Sequence, residues 1–138
     1  MNFTLYADGG SRGNPGPAGA GALVIDEEGV QVVTVSEFLG TTTNNIAEYT
    51  AVLRALEELT GLLGSAASSA RVEARLDSQL VVRQMNGEYK IKHPNIIPLA
   101  QKVKDVAGNF ASVQFVHIYR EDNKKADALA NTAMDRGK

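Results

Sequence analysis

Arg71-Val72-Glu73-Ala74-Arg75-Leu76-Asp77-Ser78 is the stretch on which the fold turns. Val72, Ala74 and Leu76 alternate with Arg71, Glu73 and Arg75, the two-residue period of a strand with one buried face. The alternation stops at Asp77, and Ser78 is suited to cap a short helix reaching about Met85. A strand that ends on an acid and runs straight into a helix belongs to an α/β layer architecture.

Upstream, Phe3, Leu5 and Ala7 alternate with Thr4, Tyr6 and Asp8, which predicts a first strand closing on Asp8. The Gly- and Pro-rich segment from Ser11 to Gly21 reads as a tight loop. Ala22 to Ile25 then reads as a strand, turning through Asp26 to Gly29 into Val30 to Leu39. Thr43-Asn44-Asn45 offers N-cap chemistry, and Tyr49, Val52, Leu53, Leu56, Leu59 and Leu63 follow at helical spacing. Gly61 to Ala70 ends that helix as a flexible connector. Downstream, Pro94 or Pro98 suits the first turn of a helix carried by Leu99, Val103 and Val106. Val113 to Tyr119 makes a fifth strand, and Ala126, Leu129, Ala130, Ala133 and Met134 mark a last helix ending near Gly137. The order implies a mixed sheet: a hairpin-linked antiparallel part, and a parallel part joined by right-handed crossovers.

The 138 residues suit one domain, 1–138. With 43% hydrophobic and 22% charged residues, the composition is that of an ordinary globular protein. The lack of cysteine excludes disulfides, thiolate zinc and a cysteine nucleophile. His93 and His117 are the only histidines, so any metal must be held chiefly by Asp and Glu. The opening MNFTLYADGG has no basic segment of a secretory signal. No apolar run approaches the ~20 residues of a membrane span, so a cytoplasmic protein is expected. The formal charge of −2 argues against a broad basic surface for nucleic acid. Any polyanionic substrate would have to be held by local contacts and bridging metal.

Asp8, Glu48, Asp77 and Asp127 are candidates for a shared site, because each stands at the start or end of an element. Ligands of such sheets sit at the carboxyl ends of the parallel strands, so adjacent first and fourth strands would bring Asp8 and Asp77 to one rim. Clustered carboxylates oppose one another's ionisation, and a hard divalent cation relieves that. Singly, each acid has a plainer role. Asp8 before Gly9-Gly10 is equally at home in a turn, Asp77 beside a helix start, and Asp127 in the favourable first turn of a helix. Glu48 is more telling, since it borders the apolar face formed with Ala51, Val52 and Ala55.

Tyr6-Ala7-Asp8-Gly9-Gly10-Ser11, Gly13-Asn14-Pro15-Gly16-Pro17-Ala18-Gly19, Thr43-Asn44-Asn45-Ile46-Ala47-Glu48, Asp77-Ser78-Gln79 and Asn123-Lys124-Lys125-Ala126-Asp127-Ala128-Leu129-Ala130 follow in that order. In wording and order the chain resembles the type 1 ribonucleases H, from about Phe3 to Ala133. The resemblance implies the ribonuclease H-like α/β fold. That fold is a five-stranded mixed sheet with strands 1–3 antiparallel, strands 4 and 5 parallel, and helices on both faces. It implies an endonuclease that hydrolyses the RNA strand of an RNA–DNA hybrid and leaves 5′-phosphate and 3′-hydroxyl ends. Asp8, Glu48, Asp77 and Asp127 would hold two Mg²⁺ ions, with Mn²⁺ as a substitute. Asn14, Asn44, Asn45 and Gln79 match positions that face the minor groove, where the 2′-hydroxyl distinguishes RNA from DNA. Thr43 and Asn95 match positions that grip a DNA phosphate. Turn and cap chemistry for Asn14 and Asn44 can hold at the same time. A monomer without obligate protein partner is expected.

The chain departs from the pattern in two places. The stretch Tyr119-Arg120-Glu121-Asp122-Asn123 lacks the histidine that many members carry before the last helix. Arg120 is the candidate for that position, though an arginine cannot act as a general base. His117 falls within the strand alternation and reads as structural. The basic, Trp-bearing handle of some members is also missing, with only Tyr89, Lys90 and Lys92 between Asn86 and Pro94. Two rivals remain at this level: a hybrid-binding module without turnover, and a small metal-dependent phosphatase.

Overall fold

The first strand is paired along both edges, and this sets the architecture. The structure, a computed structural model, describes all residues, 1–138. β1 (Asn2–Ser11), β2 (Gly16–Ile25) and β3 (Gln31–Thr42) are followed by α1 (Asn44–Leu63), β4 (Arg71–Leu76) and α2 (Gln79–Met85). Then come α3 (Ile97–Ala107), β5 (Ser112–His117) and α4 (Lys124–Arg136). The sheet order is β3-β2-β1-β4-β5. β1 runs antiparallel to β2, and β2 to β3, whereas β4 lies parallel to both β1 and β5. This is the mixed sheet expected from the sequence.

Small residues decide how closely the helices approach. Paired residues share a sheet face, and Gly10 pairs with Gly19 while Asp8 pairs with Gly21. A Cβ on Gly19 would strike the Ala130 carbonyl of α4, and one on Gly21 would strike that of Ala126. Gly9 points the other way, and its Cβ would fall on the α1 backbone at Ala47 and Glu48. Helices α1 and α4 therefore cover opposite faces. The apolar stripe of α1, including Tyr49, Val52, Leu53, Leu56 and Leu59, is buried against Leu5, Val24, Val72 and Ala74. Removing that apolar surface from water is the main force holding helix to sheet.

The glycine-rich segment differs from its reading as a loop. Only Arg12 to Pro15 lie outside the sheet, and Gly16 to Gly21 belong to β2. A composition that signals a turn here reflects close helix–sheet contact, the other reason for glycine inside a strand. β1 likewise runs past Asp8 to Ser11, because it stays paired to β2 there. Its parallel ladder to β4 ends at Ala7 and Leu76, so Asp8 is the first residue beyond that ladder. The expected connector after α1 is a 3-10 helix, Gly64–Ser69, with Ala67 buried. Pro98, and not Pro94, sits in the first turn of α3. No helix is long and apolar enough to cross a membrane.

Candidate active site

Where β1 and β4 part, Asp8 and Asp77 lie side by side at the carboxyl end of the parallel pair. Thr43 starts α1, its Oγ1 accepting from the Ile46 N–H at 3.3 Å, and the next turn carries Glu48 to the same rim. Carboxylate oxygens of Asp8, Glu48 and Asp77 all fall within 4.8 Å of one another. Asp127, in the first turn of α4, lines the same cleft but stands outside that tight group and is exposed. Asn131 Nδ2 donates to Asp127 Oδ2 at 3.2 Å, one helical turn away. Arg120 also lines the cleft, from the turn preceding α4.

The electrostatics are those of an unneutralised acidic cluster. Burial, then the charge of Asp77, then the hydrogen bond and charge of Asp127 push Asp8 up to about 8. Burial pushes Glu48 up to about 7, with Asp77 adding to the rise, while a Ser78 hydrogen bond and the Arg120 charge oppose it. Three half-buried carboxylates with oxygen donors only are the donor set of a hard divalent cation, which would remove the repulsion. These residues could hold such an ion.

The structure brings together all four acids and Arg120. Asn14 and Asn44 meet as well: the Asn44 N–H donates to Asn14 Oδ1 at 3.1 Å, and Asn44 Oδ1 accepts from the Asn45 N–H at 2.9 Å. Asn14 thus satisfies the first N–H of α1, whose cap residue is Thr43 and not Asn44, and Asn44 also lines the cleft. Gln79 is exposed at the start of α2, and Asn95 is exposed in the turn before α3, where its N–H donates to His93 Nδ1. Neither lies on the acidic cleft. His117 is exposed at the end of β5, edge-on to Tyr119. Beside the sparse segment after α2, Arg83 stacks over the Tyr89 ring at 5.4 Å, an addition to the expected basic residues.

Sequence reasoning missed the part played by Asn123. It is 1% exposed, and its Nδ2 donates to the Ala7 carbonyl at 2.9 Å and to Asp77 Oδ2 at 3.1 Å. Its Oδ1 has no partner. An Asn just before a helix reads as a cap, yet its side chain makes no cap bond and turns inward. Ser78 was legible as the cap of α2, accepting from the Val81 N–H at 3.3 Å, but its influence on Glu48, whose rise it opposes, was not.

Residues 6–133 match a family model described as "Reverse transcriptase-like". The chain is 41% identical over 136 residues to the bifunctional protein Rv2228c of Mycobacterium tuberculosis, covering 98% of this chain and 36% of that protein. It thus spans about a third of that relative's length. It is 36% identical to ribonuclease HI of Halobacterium salinarum, over 94% of this chain and 63% of the relative. Among solved structures, LC11-RNase H1, isolated from compost, has been determined in complex with an RNA/DNA hybrid. It superposes with a TM-score of 0.91 at 44% identity, covering 97% of each chain. With the sheet order, the acidic rim and these likenesses together, the chain belongs to the type 1 ribonuclease H family.

Proposed function

We propose that this chain hydrolyses the RNA strand of RNA–DNA hybrids, leaving 5′-phosphate and 3′-hydroxyl ends. The observation that carries the reading is the convergence of Asp8, Glu48 and Asp77 on one cleft with Asp127 and Arg120. Clustered negative charge beside a polyanion is costly for a protein that only binds nucleic acid, and it suits one that recruits cations. Asp8, Glu48, Asp77 and Asp127 would hold two Mg²⁺ ions, or Mn²⁺ in their place. Bound there, such ions supply an acidified water and charge stabilisation at the departing 3′-oxygen.

The chain's own residues perform the rest. Asn123 holds Asp77 in place and Asn131 holds Asp127, while Ser78 favours the ionised form of Glu48. Arg120, always protonated, offers a charge to a phosphate at the cleft and no base. The amides of Asn14, Asn44, Asn45 and Gln79 present donors and acceptors to a 2′-hydroxyl. Thr43 and Asn95 would meet the DNA strand. On this reading the protein acts as a monomer in the cytoplasm.

The test is a cleavage panel of labelled RNA–DNA hybrid, RNA duplex and DNA duplex, each with Mg²⁺, Mn²⁺ or EDTA. Cutting confined to the RNA of the hybrid, and abolished by EDTA, is the expected result. Hybrid binding with no metal-dependent cutting by folded protein would overturn it. Turnover of a generic phosphomonoester instead would favour the phosphatase alternative.

A further inference from the structure

We infer that Arg12 is a phosphate-gripping residue, held ready by Asp135 and passed to the backbone of the bound hybrid. The inference rests on the proposed hybrid substrate. Arg12 and Arg120 are the only cationic side chains on the acidic cleft. Arg120 comes from the turn before α4, whereas Arg12 comes from the loop between β1 and β2. The cleft thus has a guanidinium on two separate segments.

The loop bearing Arg12 is closely held. The Arg12 N–H donates to the Pro17 carbonyl at 2.8 Å, and a Cβ on Gly16 would strike the Arg12 carbonyl. Asn14 of the same loop bonds the first N–H of α1 at 3.1 Å. On the other side, Arg12 Nη2 bonds Asp135 Oδ1 of α4 at 2.6 Å. The loop therefore bridges the two helices that bring Glu48 and Asp127 to the cleft. The backbone of Arg12 is fixed, while its side chain keeps 48% exposure and its partner 69%.

An ion pair between exposed groups adds little stability, so exchanging one oxygen anion for another is cheap. A guanidinium matches a phosphate in the same bidentate way as a carboxylate. In the free protein Asp135 fixes the side chain on the rim, which lowers the ordering cost when a phosphate arrives. Asp135 is then a positioning residue, and Arg12 a substrate contact.

The experiment measures KM for hybrid cleavage across a salt series for the unaltered protein, Arg12→Ala and Asp135→Asn. Both variants break the same ion pair, so each controls for the other's structural effect. Arg12→Ala should raise KM roughly 3- to 10-fold and reduce the log–log salt slope by about 1. Asp135→Asn should keep the slope of the unaltered protein and raise KM by a smaller factor, about 2- to 3-fold, because Arg12 still meets the phosphate but is no longer ordered beforehand. Equal shifts in the two variants, or an unchanged slope in Arg12→Ala, would reduce the pair to a structural tie. If the unaltered protein cuts no hybrid at all, the functional reading falls, and this inference with it.

Discussion

Asn123 Nδ2 donates to Asp77 Oδ2 across 3.1 Å, and the same nitrogen donates to the Ala7 carbonyl at 2.9 Å. One buried amide therefore ties the start of α4 to the ends of β1 and β4. Asn123→Ala would leave the Ala7 carbonyl without its donor, a cost of about 1–3 kcal/mol. Asn123→Asp would place another carboxylate against Asp77 and should cost more. Thermal denaturation of both variants in EDTA checks the order. Cleavage by Asn123→Ala should recover in part at high Mn²⁺, since the acids remain.

Asp8→Asn and Asp77→Asn should abolish cleavage while raising the melting temperature of the metal-free protein. Each removes a charge from a cluster in which like charges and burial already push Asp8 up to about 8. A shift of several degrees corresponds to about 1–2 kcal/mol for a domain of this size. An active Asp77→Asn protein would remove that residue from the site.

The same cluster predicts how stability depends on pH without metal. Asp8 rises from 3.8 to about 8 on folding and Glu48 from 4.5 to about 7. Between those values the folded protein binds more protons than the unfolded chain, so its stability falls as pH rises. The contribution is complete below about pH 4 and lost as pH passes through the interval from about 7 to about 8. Melting temperatures in EDTA should decline from about pH 4 to about pH 8 and level off above it, and Mg²⁺ should restore them most at the alkaline end. A flat profile in EDTA would mean that the acids are solvated.

Gly9 is the tightest point between β1 and α1. A methyl group there meets the backbone of Ala47 and Glu48, neither of which can yield as a flexible side chain would. Gly9→Ala should therefore destabilise the fold by about 1–3 kcal/mol. It should also lower turnover, because relief requires moving Glu48 away from Asp8. Gly61→Ala meets nothing within 4 Å and serves as the control.

Arg120 opposes the upward shift of Glu48. Arg120→Ala should slow turnover about 10-fold and move the acidic limb of the pH–rate profile upward. Turnover and profile both unchanged would return Arg120 to the surface.

Much of this was legible because it depends on local chemistry. The alternation of Val72, Ala74 and Leu76, the caps at Thr43 and Ser78, and the polar wording around four acids each carry their own signal. What was not legible depends on partners distant in sequence. Gly19 and Gly21 look like loop residues until α4 is laid across them, and only then does β2 explain its composition. Asn123 looks like a cap until Ala7 and Asp77 are beside it, and Ser78 shows half its role without Glu48. A single sequence holds no signal for such pairings.

The parallel pairing of Tyr6 with Arg75 has a consequence for how activity is acquired. The carboxylates come from β1, α1, the end of β4 and α4, so no early fragment of a growing chain holds the whole set. Contacts this distant in sequence form slowly, because the intervening chain must be ordered before they are rewarded. A half-made polypeptide therefore carries Asp8 and Glu48 without Asp77 or Asp127, and has no cleft. The full acidic set is assembled only once α4 has docked on the sheet, so an intact cleft reports that β1, α1, β4 and α4 are all in place.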